Sequence, residues 1–275
     1  MLFCDVELAQ RIERAETGLI GAATHAAARR GAPGVTVPVA GGLACYADAD
    51  SPMNKVVGLG FDGLPDAGVL DEIERVFGGH AAPVGVELST LADPGIAPLL
   101  CDRGYRLVGF ENVLGCALPA VTDVLAGVRV RPADAGENRA WVDVVVEGFA
   151  HPDGEGVPSH EHFPRAAVAD AMDDMERAGA VRYVALFDDA VAGGASMRIA
   201  DGVAQLTGAA TAPAFRRRGV QAALLAHRLR AASDAGCDVA VVTTAPGSLS
   251  QKNVQRMGFH LLYTRAVLIR DTAKC

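Results

Sequence analysis

Thr207-Gly-Ala-Ala-Thr-Ala-Pro-Ala-Phe-Arg-Arg-Arg-Gly-Val-Gln-Ala-Ala-Leu-Leu225 passes from small, strand-compatible residues, through a proline and a run of arginine, into an alanine- and leucine-rich segment. The order reads as strand, turn and helix. Gly219 stands at the turn, where the missing side chain permits a positive φ or close approach of the backbone to a ligand. Val220, Leu224 and Leu225 then fall on the side of the helix that faces the sheet, with His227 and Arg228 further along. The first N–H groups of such a helix lack intrahelical acceptors. Together with the helix dipole they make a seat for a phosphate or pyrophosphate. Arg216, Arg217 and Arg218 bring positive charge to the same mouth, with adjacent side chains facing different ways.

A solvated basic patch ahead of an ordinary helix is the plain alternative. A nucleotide-binding P-loop is disfavoured because no Gly-Lys-Ser/Thr ending is present, and a dinucleotide fingerprint lacks its second and third glycines. The chain as a whole carries a formal charge of −8 and only 5% aromatic residues, which argues against a nucleic-acid surface. A compact anion seat on a strand–loop–helix remains.

Working outward, 275 residues with 50% apolar composition favour two folded units over one small core. Cys4, Cys45, Cys101, Cys116, Cys237 and Cys275 are scattered, with no CxxC and no histidines at ligand spacing, so no structural metal is expected. The beginning Met-Leu-Phe-Cys-Asp lacks the basic and apolar regions of a signal peptide, and no run is long enough to span a bilayer. A reduced, cytoplasmic setting without membrane partners is the expectation.

Apolar spacing predicts a helix over Val6–Ala28, with Gly18 or Gly21 as the place for a kink, and short strands at Val35–Val39, Leu43–Tyr46 and Lys55–Phe61. Leu70–Phe77 reads as helix, Val84–Leu88 as strand, Pro94–Arg103 as helix and Arg106–Leu114 as strand. The second half repeats the logic. Val128–Arg131 is strand, and Glu137–Phe149 and Phe163–Ala178 are helices. Strands at Val181–Phe187 and Ala190–Ile199 flank an Asp188-Asp189 turn. Strand Val203–Ala210, helix Gln221–Ala235, strand Val239–Thr243, helix Ser250–Met257 and strand Phe259–Ile269 complete it. Without gaps, Val86–Thr90 lies over Ala240–Thr244, Arg103-Gly104-Tyr105 over Met257-Gly258-Phe259, and Val113-Leu114 over Val267-Leu268, which points to an internal duplication.

The arginine–glycine segment resembles the signature of the GNAT superfamily of acetyl-CoA-dependent N-acyltransferases, Gln/Arg-x-x-Gly-x-Gly/Ala. Arg216, Gly219 and Gln221 occupy its first, fourth and sixth places. Gln221 departs from the usual small residue but keeps its N–H. The resemblance extends over Val128–Ile269 and, more faintly, Gly41–Leu114. It implies an α/β fold of two tandem GNAT domains, each a mixed central sheet flanked by helices. A degenerate first copy at 1–120 precedes an acyl-CoA-binding domain at 127–275. The first copy is degenerate because Gly58-Leu59-Gly60-Phe61-Asp62-Gly63-Leu64-Pro65-Asp66 is acidic where the second copy has arginines. The acyl-CoA site implied comprises Ala209, Ala210 and Thr211 on the strand, Arg216, Arg217, Arg218, Gly219, Val220, Gln221 and Ala222 at the loop and helix start, and Ser250 and Asn253 on the next helix.

The implied reaction is direct transfer of the acetyl group of acetyl-CoA, or another short acyl-CoA, to a primary amine of a small molecule or amino-acid derivative within a ternary complex. A backbone N–H near Ala209 or Ala210 is the candidate oxyanion donor. Val254 stands where relatives often carry a tyrosine acid, and Gln205 and Thr207 stand near the usual glutamate. Tyr263 and Ser248 are then the candidates to protonate the thiolate, and Glu161 and His162 to receive and deprotonate the amine. Packing is the plainer reading of Tyr263 and an exposed helix start that of Glu161 and His162, while Ser250 is expected to cap the helix it begins. The loop with His151, Asp153, Glu155 and His160 would wall the acceptor site. A catalytically weak acyl-CoA sensor and an inert interaction protein stand as alternatives, and the chain is expected as a monomer or homodimer.

Overall fold

The computed structural model describes residues 2–120, 127–150 and 163–271. In chain order its elements are α1 (Val6–Arg29), β1 (Val35–Val39), β2 (Gly42–Tyr46), β3 (Lys55–Val57), α2 (Ala67–Gly79), β4 (Val84–Ser89), α3 (Ile96–Asp102), β5 (Arg106–Ala117), β6 (Arg129–Pro132), α4 (Asn138–Ala150), α5 (Arg165–Arg177), β7 (Val181–Phe187), β8 (Ala190–Ala200), β9 (Val203–Thr211), α6 (Val220–Asp234), β10 (Val239–Thr244), α7 (Leu249–Arg256) and β11 (His260–Arg270). The α/β class and the mixed, helix-flanked sheet agree with the sequence expectation. Helix α1 runs unbroken past Gly18 and Gly21. Asp5 caps it by accepting from Leu8 N at 2.9 Å, and Ile12, Leu19 and Ile20 lie on its buried side. Helix α5 starts only at Arg165, because Pro164 restricts the residue before it and serves as the cap. No helix among the described residues is long and apolar enough to cross a membrane.

The chain divides into two compact units that interleave along the sequence. One comprises Met1–Leu2, Leu114–Pro158 and Gly179–Leu261; the other comprises Phe3–Val113, Ser159–Ala178 and Leu262–Cys275. The division falls inside β5 and inside β11. In the first unit the strand order is β5-β10-β9-β8-β7-β6, with β10 parallel to β9 and the pairs β9–β8, β8–β7 and β7–β6 antiparallel. Its core gathers Leu114, Tyr183, Met197, Leu206, Val220, Leu224, Leu229 and Phe259. Asp188 and Asp189, with φ 49° and 60°, form the tight turn between β7 and β8, the left-handed geometry that suits the strand twist.

In the second unit the order is β1-β2-β3-β4-β11-β5, and β4 pairs antiparallel with β11 from Val84↔Arg270 to Ser89↔Arg265. Val37, Val56, Leu59, Leu70, Ile73, Phe77, Val86, Ile96, Leu100 and Leu268 form its core. Beside this core lies a buried polar cluster. Glu13 Oε1 accepts from Tyr263 Oη at 2.7 Å and from Arg265 Nε at 2.8 Å. Arg265 also pairs with Glu87 at 3.3 Å and approaches Glu16 at 3.7 Å, and Lys55 pairs with Glu87. Glu13 and Arg265 are each 1% exposed, so neither charge is screened by water.

Breaking this cluster from one side leaves the remaining charge buried. Glu13→Ala should therefore lower unfolding stability by about 3–5 kcal/mol, read from urea midpoints. A loss under about 1 kcal/mol would show the cluster to be solvated. Burial first, then the neighbouring Glu87 charge, pushes the Glu111 carboxyl up to about 8 from 4.5. Folding then takes up a proton between those two values, so stability falls as pH rises through that window. Urea midpoints across it should drop in the wild type and flatten in Glu111→Gln; identical slopes would refute the assignment.

Candidate acyl-donor cleft

Strands β9 and β10 pair only at Val203↔Val239, Ala204↔Ala240 and Gln205↔Val241, yet they continue to Thr211 and Thr244. From Leu206 onward, the side of β9 that faces β10 has no ladder partner among the described residues, and the two strands part. On its other side β9 carries a bulge. Ser196↔Thr207 is followed by Gly194↔Ala210, so Gly208 and Ala209 oppose the single residue Ala195. Gly208 adopts φ 53°, a left-handed conformation that disfavours a side chain. The indole of Trp141, 1% exposed, supports this region by donating from Nε1 to Tyr183 O at 3.0 Å and Ala195 O at 3.3 Å.

Beyond Thr211 the chain makes a short 3-10 turn at Pro213–Phe215 and reaches α6 through Arg216–Gly219. Arg217 has φ 62° and Gly219, the N-cap, φ 78°. Among the described residues no side chain caps the helix, and the first intrahelical bond is Ala223 N to Gly219 O. The N–H groups of Val220, Gln221 and Ala222 therefore open at the helix N-terminus, as the sequence implies. Arg218 is committed elsewhere. Its guanidinium lies 5.1 Å from the Phe187 ring centre and 5.8 Å from that of Phe215, a cation–π seat that fixes the loop against β7.

Among the other predicted residues, Ala209, Ala210 and Thr211 stand on β9 past the end of its pairing with β10. Asn253 on α7 donates from Nδ2 to Gln221 Oε1 at 2.6 Å, tying α7 to the first turn of α6. The cap of α7 is Ser248 and not Ser250: the helix starts two residues earlier than a Ser250 cap requires, with Ser248 Oγ accepting from Gln251 N at 3.1 Å and Ser250 exposed within the first turn. Val254 is buried in the core, so that position contributes to packing. Tyr263 belongs to the other unit, where its hydroxyl is buried and donated to Glu13; burial, then the Glu13 charge, pushes it well above the usual phenol range. Glu161 and His162, with His151, Asp153, Glu155 and His160, lie outside the described residues. Among the described residues no cluster of His, Cys, Asp or Glu could hold a metal ion.

Sequence reasoning missed the Gly208 bulge and Arg228. Both left a signal: a glycine interrupting a strand pattern, and a charged residue continuing the Val220–Leu224 stripe by four.

The geometry has counterparts among known proteins. The profile of the acetyltransferase (GNAT) family matches residues 149–259, which span the whole cleft. A GCN5-related N-acetyltransferase from Kribbella flavida superposes with a TM-score of 0.64 at 20% identity, over 92% of this chain and 95% of that one. A second, from Sphaerobacter thermophilus, gives 0.55 at 17% identity over 74% and 67%. A tandem GNAT protein from the clavulanic acid biosynthesis pathway gives 0.58 at 12% identity over 85% and 79%. No curated protein matches the sequence. The chain thus has the fold of GCN5-related N-acetyltransferases.

The Gln221–Asn253 bond predicts a modest structural effect. Gln221→Ala should lower stability by about 1 kcal/mol, measured by thermal melting; an unchanged melting temperature would show that the bond does not tie α7 to α6.

Proposed function

We propose that this protein is an acyl-CoA-dependent N-acyltransferase that moves the acetyl group of acetyl-CoA, or another short acyl group, directly to a primary amine. The observation that carries the reading is the coincidence of two openings. The β9–β10 ladder stops after Gln205/Val241, and the next helix begins with an uncapped N-terminus behind Arg216–Gly219. The pantetheine arm fits the unpaired edge of β9 at Ala209, Ala210 and Thr211, where main-chain N–H and C=O groups need partners. The pyrophosphate fits the N–H groups of Val220, Gln221 and Ala222, with Arg216 and Arg217 as the charges nearest the mouth. Asn253, held by Gln221, and Ser250 stand on the facing helix.

The amine attacks from the side of the parted strands within a ternary complex, where proximity supplies much of the rate. Ser248 uses its oxygen as an acceptor in the cap, which leaves its proton for the departing thiolate. Glu161 and His162 remain the proposed recognition and base residues for the amine. Tyr263 is set aside as the acid because its hydroxyl is bonded to buried Glu13. A small-molecule amine, with no nucleic acid or membrane partner, fits the acidic balance of the chain, and a cytoplasmic setting fits its scattered cysteines. The absence of a tyrosine at Val254 favours a second reading, a weakly active or inactive acyl-CoA sensor.

The same proposal includes the tandem organisation, 127–275 as the acyl-CoA domain and 1–120 as its degenerate copy. The sequence repeat supports it, with β4 and β10 as repeat equivalents and β5 and β11 likewise, and each unit has a core of its own. A monomer or a homodimer is compatible with it.

Calorimetric titration with acetyl-CoA tests the site. Wild type should bind one equivalent, and Gly219→Glu should weaken binding by more than about 100-fold, or ~2.7 kcal/mol, with circular dichroism verifying the variant's fold. Equal affinities, or two equivalents bound, would overturn the reading. Release of CoA with a panel of amines separates the enzyme from the sensor.

A further inference from the structure

Arg228 is 3% exposed at the centre of the unit that holds the cleft. Among the described residues no carboxylate is paired with it. Its hydrogen bonds go to carbonyl oxygens: Nη1 donates to Ser196 O at 3.0 Å and lies 3.5 Å from Thr207 O, and Nε donates to Leu224 O at 3.2 Å. A buried cation held only by carbonyls is costly to maintain. Burial lowers its pKa to about 10, which still leaves it charged at neutral pH.

Its location gives that charge a use. Ser196 and Thr207 are the last matched pair before the bulge, so Arg228 grips the two strands where their ladder breaks. The Thr207–Gly208 peptide is trans, since the only cis bond among the described residues is Leu118–Pro119. In a trans peptide the C=O and N–H point in opposite directions. With Thr207 O turned toward β8 and Arg228, the Gly208 N–H is directed to the β10 side, beyond the end of that pairing at Gln205. A cation bonded to the carbonyl of a peptide withdraws electron density and makes its N–H a stronger donor.

We propose that Arg228 is a positioning residue that fixes the β9 bulge and polarises the Thr207–Gly208 peptide, so that the Gly208 N–H, in place of the Ala209 or Ala210 N–H that the family resemblance implies, is the donor for the thioester carbonyl oxygen. The inference rests on the acyl-CoA reading of the cleft. When the amine nitrogen bonds to the acyl carbon, the carbonyl π pair moves onto oxygen. When the C–S bond breaks, that pair returns and the sulfur leaves as thiolate; the proton the amine nitrogen gives up balances the one the thiolate takes, so that amide and free CoA thiol are the products. The transient negative charge on oxygen faces Gly208, with the Arg228 cation behind it in a water-poor interior.

The test needs no acceptor amine. Infrared spectra of acetyl-CoA labelled with carbon-13 at the carbonyl are recorded free and bound. The wild-type protein should lower the carbonyl stretch, and Arg228→Met, bound to saturation, should lose at least half of that shift while keeping acetyl-CoA affinity within about threefold. Arg228→Lys, which keeps the charge without the fork, should retain more of the shift than Arg228→Met. A full wild-type shift in Arg228→Met overturns the proposal. Failure of the wild type to bind acetyl-CoA overturns instead the reading on which it rests. If Arg228→Met does not fold, Arg228→Gln is read in its place. If neither folds, the wild type labelled with nitrogen-15 glycine decides: the Gly208 amide proton should move downfield with acetyl-CoA and not with CoA, and equal movement overturns the proposal.

Discussion

The unit that holds the cleft is organised around the early end of one parallel ladder. Extended strands paired to Thr211 and Thr244 would bury their main-chain groups in each other and leave no slot. Here pairing stops at Gln205 and Val241 because β9 changes course at Gly208. The added residue bends β9 and disrupts its regular pairing locally. Trp141, bonded to the carbonyls of Tyr183 and Ala195, and Arg228, bonded to that of Ser196, hold the sheet where its ladder is irregular. The exposed edge of β9 is thus a product of rigid packing beneath it, which is what a slot for an extended ligand requires.

The open start of α6 depends on the same departure. Once β9 has turned out, the Pro213–Phe215 turn and the left-handed residues Arg217 and Gly219 bring the chain back, so that α6 begins uncapped. Arg218 stacked on Phe187 and Phe215 holds the returning loop, and the cost of a non-glycine residue at φ 62° is met by that packing. Of the three consecutive arginines, then, one is structural. In the other unit the segment after β3, Gly58–Asp66, carries Asp62 and Asp66 and no arginine.

What the sequence made legible was local. Gly219, the arginines and the Val220–Leu225 face lie within one stretch, so turn chemistry and periodicity suffice to read strand, loop and helix, and the element types proved readable along most of the described chain. Boundaries moved where a cap or proline acted, as at Pro164 and Ser248. The residues that escaped are defined by partners far off in sequence. Gln221 looked like a departure from a small-residue position; its meaning comes from Asn253 on another helix. Tyr263 sits four residues past Phe259, close enough in sequence to suggest the cleft, but the chain passes between units at Leu261 and the hydroxyl ends on Glu13. Interleaving of that kind has no signature in local periodicity.

The two buried arginines show how the same side chain has opposite electrostatic consequences. Arg265 is surrounded by Glu13, Glu87 and Glu16, so its field is cancelled within a few ångströms and its contribution is to cohesion. Among the described residues the hydrogen bonds of Arg228 all go to carbonyl dipoles, which orient toward it without neutralising it, so its field extends to the next peptide. A protein selected for stability alone would be served as well by an apolar side chain at that position, because a methionine of similar length fills the space without the desolvation cost. The retained charge therefore has its rationale in what lies beyond the carbonyls it touches, and that is the unpaired edge of β9.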